Sequence, residues 1–136
     1  MKKSAVYKIP LGILPIVIIF WQLERSLGIE GFRIPDYFSL FTIISNLLAG
    51  TVLFISAFKL SETYNRKIDY LRGMNSAYLI VVGIVYYALI ADTGGFSYLT
   101  IQHSNFILHR LMPLILLIDF VLDRPRAEYV HKKTWN

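Results

Sequence analysis

Thr42, Ser45, Asn46, His109, Arg110 and Asp119 stand out because each interrupts a stretch built otherwise from Leu, Ile, Val and Phe. A threonine hydroxyl is a weak nucleophile at neutral pH and becomes an effective one only beside a general base. His109 is a base of that kind, and Thr42 with His109 would form a nucleophile–base pair on neighbouring helices. Thr42 and Asn46, four residues apart, share one helix face, with Ser45 beside them. Arg110 or Asn46 would then orient a carboxylate or carbonyl, or steady a developing oxyanion. Each residue also has a plainer role. Thr42 and Ser45 would bond back to carbonyls one turn earlier, while Asn46, Ala49 and Gly50 would pack against another helix. Arg110 would snorkel to a headgroup layer, with His109 at the interface. Asp119 would cap its helix or pair with Arg124 or a basic residue between the second and third spans, with a buried relay as the alternative.

The elements that must position these residues follow from composition. The chain of 136 residues is 55% hydrophobic and 17% charged, against roughly 25% charged in an average globular domain. Gly73–Ala91 has no Asp, Glu, Lys, Arg or His for nineteen residues, and Phe38–Phe58 none for twenty-one. About twenty such residues, at 1.5 Å each, cross the roughly 30 Å hydrocarbon core of a bilayer. The expected fold is therefore an all-α, polytopic transmembrane helical bundle forming a single domain over residues 1–136. Four spans are predicted, at about 9–23, 38–58, 74–91 and 105–122. The first is marginal in length and carries Pro10 and Pro15, with Tyr7 and Trp21 suited to its two interfaces. It has a basic start but no small-residue cleavage site after Trp21, so it reads as a retained span.

Lys and Arg collect on the cytoplasmic side of membrane proteins. Lys2, Lys3 and Lys8 precede the first span; Lys59, Arg66, Lys67 and Arg72 separate the second from the third; Arg124, Arg126, Lys132 and Lys133 follow the fourth. The other side has only Arg25 and Arg33, because the gap from Asp92 to Ser104 contains neither residue type. Eleven against two sets the N-terminus inside and supports four crossings. Spans two and four then run in the same direction, each entering from the outer face. Thr42 and His109 each lie four residues into their span, roughly 6 Å below its outer boundary. Lipid ester groups lie at that level.

The same residues exclude other classes. The net charge of +5 is dispersed between apolar runs, so no nucleic-acid footprint is expected. There is no cysteine, hence no disulfide or thiol nucleophile, and His103, His109 and His131 lack metal-ligand spacing. No cofactor or metal is called for.

Three blocks carry a family likeness. The run Tyr37-Phe38-Ser39-Leu40-Phe41-Thr42-Ile43-Ile44-Ser45-Asn46-Leu47-Leu48 resembles the second-span motif of prokaryotic six-span membrane proteins related to the androgen-induced family. Leu71-Arg72-Gly73 with Val85-Tyr86-Tyr87, and Leu108-His109-Arg110-Leu111-Met112-Pro113 leading to Ile118-Asp119-Phe120, are similar to the same branch. Animal members are intramembrane threonine hydrolases that cleave fatty acid esters of hydroxy fatty acids. The resemblance implies Thr42 as nucleophile and His109 as its base, with a membrane lipid or fatty acid ester as substrate. The His-to-Pro spacing here is one residue shorter, and the Ser45-Asn46 pair is absent from the animal enzymes. Family members continue with a Trp-led span or two, so the end at Trp135-Asn136 looks like the first part of a five- or six-span architecture. The alternative class is a non-catalytic membrane bundle: a scaffold, a subunit or a small transporter.

Overall fold

The computed structural model describes residues 5–58, 61–90 and 102–123 of the chain. Within them the protein is all-α, with no strand, and consists of packed apolar helices. Helix α1 spans Ala5–Ser26, α2 Ile34–Ser39, α3 Phe41–Ser56 and α4 Glu62–Val85, whose end widens into a π-helical turn at Tyr86–Ile90. Helix α5, Gln102–Phe106, runs through a second π-turn, Ile107–Leu111, into α6, Met112–Leu122. Three stretches are long and apolar enough to cross a bilayer: Ala5–Ser26, Thr63–Leu89 and Ser104–Leu122. This is compatible with a multi-pass membrane protein. The expected features at Asp92, Lys2, Lys3, Lys59, Arg124, Arg126, His131, Lys132, Lys133 and Trp135-Asn136 lie outside the described residues.

The boundaries differ from those that apolar runs suggest, for identifiable reasons. Helix α1 covers 22 residues and is unbroken by Pro10 or Pro15, and it takes in Lys8, which precedes the apolar run and is buried rather than exposed. The second span divides. Leu40 is extended, with ψ 125°, between α2 and α3, and leaves α3 as an apolar helix of sixteen residues. Pro35 starts α2 in the first helical turn, where its missing N–H costs little. Tyr37 of α2 is fully buried and its hydroxyl donates to the Ile19 carbonyl at 2.8 Å, fastening this short helix to α1. Helix α4 starts twelve residues before the apolar run, so Arg66, Lys67 and Arg72 lie on a helix and not in a loop.

The second π-turn has its cause in sequence. Pro113 has no N–H to give the His109 carbonyl, and its ring would clash there in a regular α-helix. The chain widens instead, and the Met112 N–H donates five residues back to the Ile107 carbonyl.

Helices α1 and α3 cross at two glycines. A Cβ on Gly50 would lie 2.5 Å from the Gly12 carbonyl oxygen and 2.8 Å from Pro15 Cγ. One on Gly12 would lie 2.7 Å from the Phe54 backbone nitrogen. Small residues allow such close backbone approach between membrane helices. Since backbone cannot yield as a flexible side chain does, Gly50→Ala is expected to cost about 1–3 kcal/mol. A lowered unfolding temperature in detergent would show it; an unchanged one would mean that the helices simply slide apart.

Beneath this crossing Ala49, Leu53, Leu79, Met112 and Leu116 form one buried cluster. Ile19, Tyr37, Ile43 and Leu108 form a second. Lys8, Arg72 and the end of α6 meet at one end of the bundle. The Ile19 level, from which α1 continues to Arg25, meets Leu108 towards the other. Lys8 and Arg72 thus lie at one end of the bundle and Arg25 towards the other.

Candidate functional site

Helix α3 presents Thr42, Asn46, Ala49 and Leu53 along one stripe, the i, i+4, i+7, i+11 pattern of a helix face. Asn46 and Ala49 are fully buried. The Asn46 amide donates to the Thr42 carbonyl at 2.9 Å and across the interface to the Leu108 carbonyl at 3.3 Å. Because both bonds use Nδ2, the side-chain oxygen faces elsewhere and has no partner. Ser45 bonds back to the Phe41 carbonyl at 2.6 Å, and Thr51 to Leu47 at 2.8 Å, the plainer expectation for a hydroxyl in a span. Thr42 does not follow them. It lies in the first turn of α3, and the extended Leu40 removes the helical turn whose carbonyl it would reach. Its hydroxyl makes no hydrogen bond among the described residues.

His109 follows Leu108 in the π-turn and is 95% buried, with 5% of its surface exposed. Its ring lies flat on Tyr86 in the π-turn that ends α4, centroids 3.9 Å apart and planes 15° from parallel, and Nδ1 has no partner among the described residues. Gly83 lets the chains approach: a Cβ there would lie 3.1 Å from the His109 carbonyl oxygen. The segments that carry the two expected residues adjoin, since Ile43 and Leu108, their chain neighbours, pack in the same cluster. Thr42 lies on the stripe that faces the bundle, while the His109 ring turns towards α4. Asn46 connects the two segments, and no direct hydrogen bond does.

Arg110 is exposed on the far side of the turn. Its Nε donates to the Tyr87 hydroxyl, and its guanidinium lies 4.8 Å over the Tyr87 ring and 5.8 Å from that of Phe106. Below it an open apolar groove of about 640 Å3 runs between α4 and α6, lined by Gly83 and Ile84 on one side and Pro113, Leu114 and Leu117 on the other. His109 and Arg110 line it as well, so it joins the buried imidazole to the outer surface of the bundle.

Asp119 belongs to a separate assembly at the other end. The carboxylate accepts from Arg72 Nη2 at 2.6 Å and Nε at 3.0 Å, and from the Tyr7 hydroxyl at 3.0 Å. Lys8 Nζ lies 3.3 Å away and also pairs with Asp123. Arg72 reaches Asp69 at 2.8 Å as well. Lys8, Arg72 and Asp119 are at most 2% exposed. Of the partners expected for Asp119, it is the basic stretch before span three that supplies one, through Arg72. No group of three His, Asp or Glu side chains suited to a metal occurs among the described residues.

Residue types alone pass over Asn75, Tyr86 and Lys8. Asn75 is buried, donates to the Ser45 carbonyl at 3.3 Å, and has an unpartnered side-chain oxygen. A polar side chain in the uncharged run after Arg72 was the available signal. Lys8 and Arg72 carried none, since a charge near a span boundary reads as solvated.

The chain matches no protein-family model, no curated protein and no solved structure.

Proposed function

We propose that this protein is an intramembrane hydrolase of lipid esters, with Thr42 as nucleophile and His109 as general base near the outer interface of a prokaryotic cell membrane. The reading is supported chiefly by the Asn46 bridge from the Thr42 carbonyl to the Leu108 carbonyl, which keeps an unpartnered hydroxyl and a buried imidazole on adjoining segments. The groove that leads from the lipid-facing surface to His109 adds a route for substrate. In the first step the Thr42 oxygen bonds to the ester carbonyl carbon while His109 takes its proton. Collapse of the tetrahedral intermediate breaks the ester C–O bond, and His109 returns the proton to the departing alcohol. Water then attacks the acyl-threonine, again losing a proton to His109; the acid leaves and Thr42 regains its hydrogen. Asn46 and Arg110, with Ser45 beside them, would hold the carbonyl or a charged group of the substrate. The N-terminus is cytoplasmic in this arrangement.

A second reading, a non-catalytic bundle, draws on the stacking of His109 against Tyr86 and on the lack of a hydrogen bond between His109 and Thr42. Membranes containing the protein separate the two. Labelling by a fluorophosphonate and hydrolysis of an acyl ester should both fall in His109→Ala, by about 10²–10⁴-fold for loss of a general base. Labelling and hydrolysis undiminished in His109→Ala would leave the bundle reading.

A further inference from the structure

The groove between α4 and α6 combines three features that ordinary lipid-facing surface lacks. Its outer end carries a cation, Arg110, with which no carboxylate pairs among the described residues. Tyr87 takes only the Nε hydrogen, so both terminal nitrogens of the planar fork remain available, the geometry that matches a phosphate. One residue along the chain, the groove wall includes His109, deeply buried, with an Nδ1 that no atom of the described residues satisfies. Inward from these the lining is apolar for roughly 10 Å, the rise from Arg110 to Leu117. Phosphate, ester and acyl chain occur in that order along a glycerophospholipid.

We infer that the α4–α6 groove binds one acyl chain of an anionic glycerophospholipid, with its phosphate on Arg110 and its ester linkage beside His109. In naming a substrate class this rests on the hydrolase reading; the binding itself does not. The lipid approaches sideways from the bilayer, so its chain never leaves an apolar medium, and the net negative charge of the headgroup at Arg110 decides which lipid is held. Gly83 sets the depth of the groove, since any side chain there would push against the His109 backbone.

The test uses the full chain carrying Thr42→Ala, so that no lipid is consumed, in phosphatidylcholine vesicles containing spin-labelled phosphatidylglycerol or spin-labelled phosphatidylcholine. Electron spin resonance reads the motionally restricted fraction. Phosphatidylglycerol should show the larger fraction. Arg110→Gln should remove the preference, a loss of about fivefold in relative affinity, the worth of one basic side chain near a membrane surface. Arg110→Lys should retain most of it. Leu114→Trp, at a position 52% exposed and so outside the core, should fill the groove and abolish the excess restricted fraction. A preference that survives Arg110→Gln, or a restricted fraction that survives Leu114→Trp, overturns the inference. Hydrolysis by the unsubstituted chain is measured on the same lipids. Binding without cleavage would refute the hydrolase reading and leave the groove assignment standing; cleavage without lipid preference would do the reverse.

Discussion

Asp119→Ala is expected to destabilise the protein by about 3–5 kcal/mol, the usual cost of removing one partner from a buried ion pair. Arg72 gives Asp119 two hydrogen bonds through Oδ2, while Tyr7 and Lys8 approach Oδ1. Removing the carboxylate leaves two cations in a region from which water is excluded. Asp69 and Asp123 retain partial hold on Arg72, and Asp123 on Lys8, which keeps the loss within that range. Added salt should change the result little, because the pair is screened by protein and not by ions. Thermal unfolding in nanodiscs measures the effect. The double variant Arg72→Met/Asp119→Leu should recover part of the stability, since an apolar pair replaces the ionic one while Lys8 keeps Asp123 as its partner. A single variant as stable as the parent would mean that water reaches this end of the bundle.

Thr42→Ala should reduce ester hydrolysis to background, on the order of a 10⁶-fold fall if every turnover passes through that oxygen. Stability should change by less than about 0.5 kcal/mol, because the lost hydroxyl has no partner among the described residues and Thr42 occupies only the first turn of α3. Thr42→Ser, which keeps the hydroxyl, should keep measurable turnover. Activity and unfolding temperature measured on the same preparations separate a chemical role from a packing role. A Thr42→Ala protein that folds and still hydrolyses the ester removes this residue from the chemistry, whatever else the bundle does.

The helical class and the apolar stretches were legible in the residues, because a segment of that length without charge has few alternatives to a membrane helix. So was the adjacency of the segments carrying Thr42 and His109, whose neighbours Ile43 and Leu108 pack in one cluster. Direction around the axis was not legible. Whether His109 turns to α3 or to α4 depends on the π-turn before Pro113 and on Gly83, and those act through contacts between chains far apart in sequence. Leu40 shows the same limit, for its extended backbone divides an uninterrupted apolar run and leaves the Thr42 hydroxyl without the carbonyl it would otherwise take.

Sequence by itself determined which segments are apolar, which ends carry positive charge and which polar residues require a reason to be there. Tertiary structure decided that Lys8 and Arg72 are buried around Asp119 and that Asn46 spans two helices. The physical reason is that hydrophobicity acts on each residue's own surface, whereas an ion pair or an interhelical hydrogen bond exists only once two distant atoms lie within about 3 Å of each other.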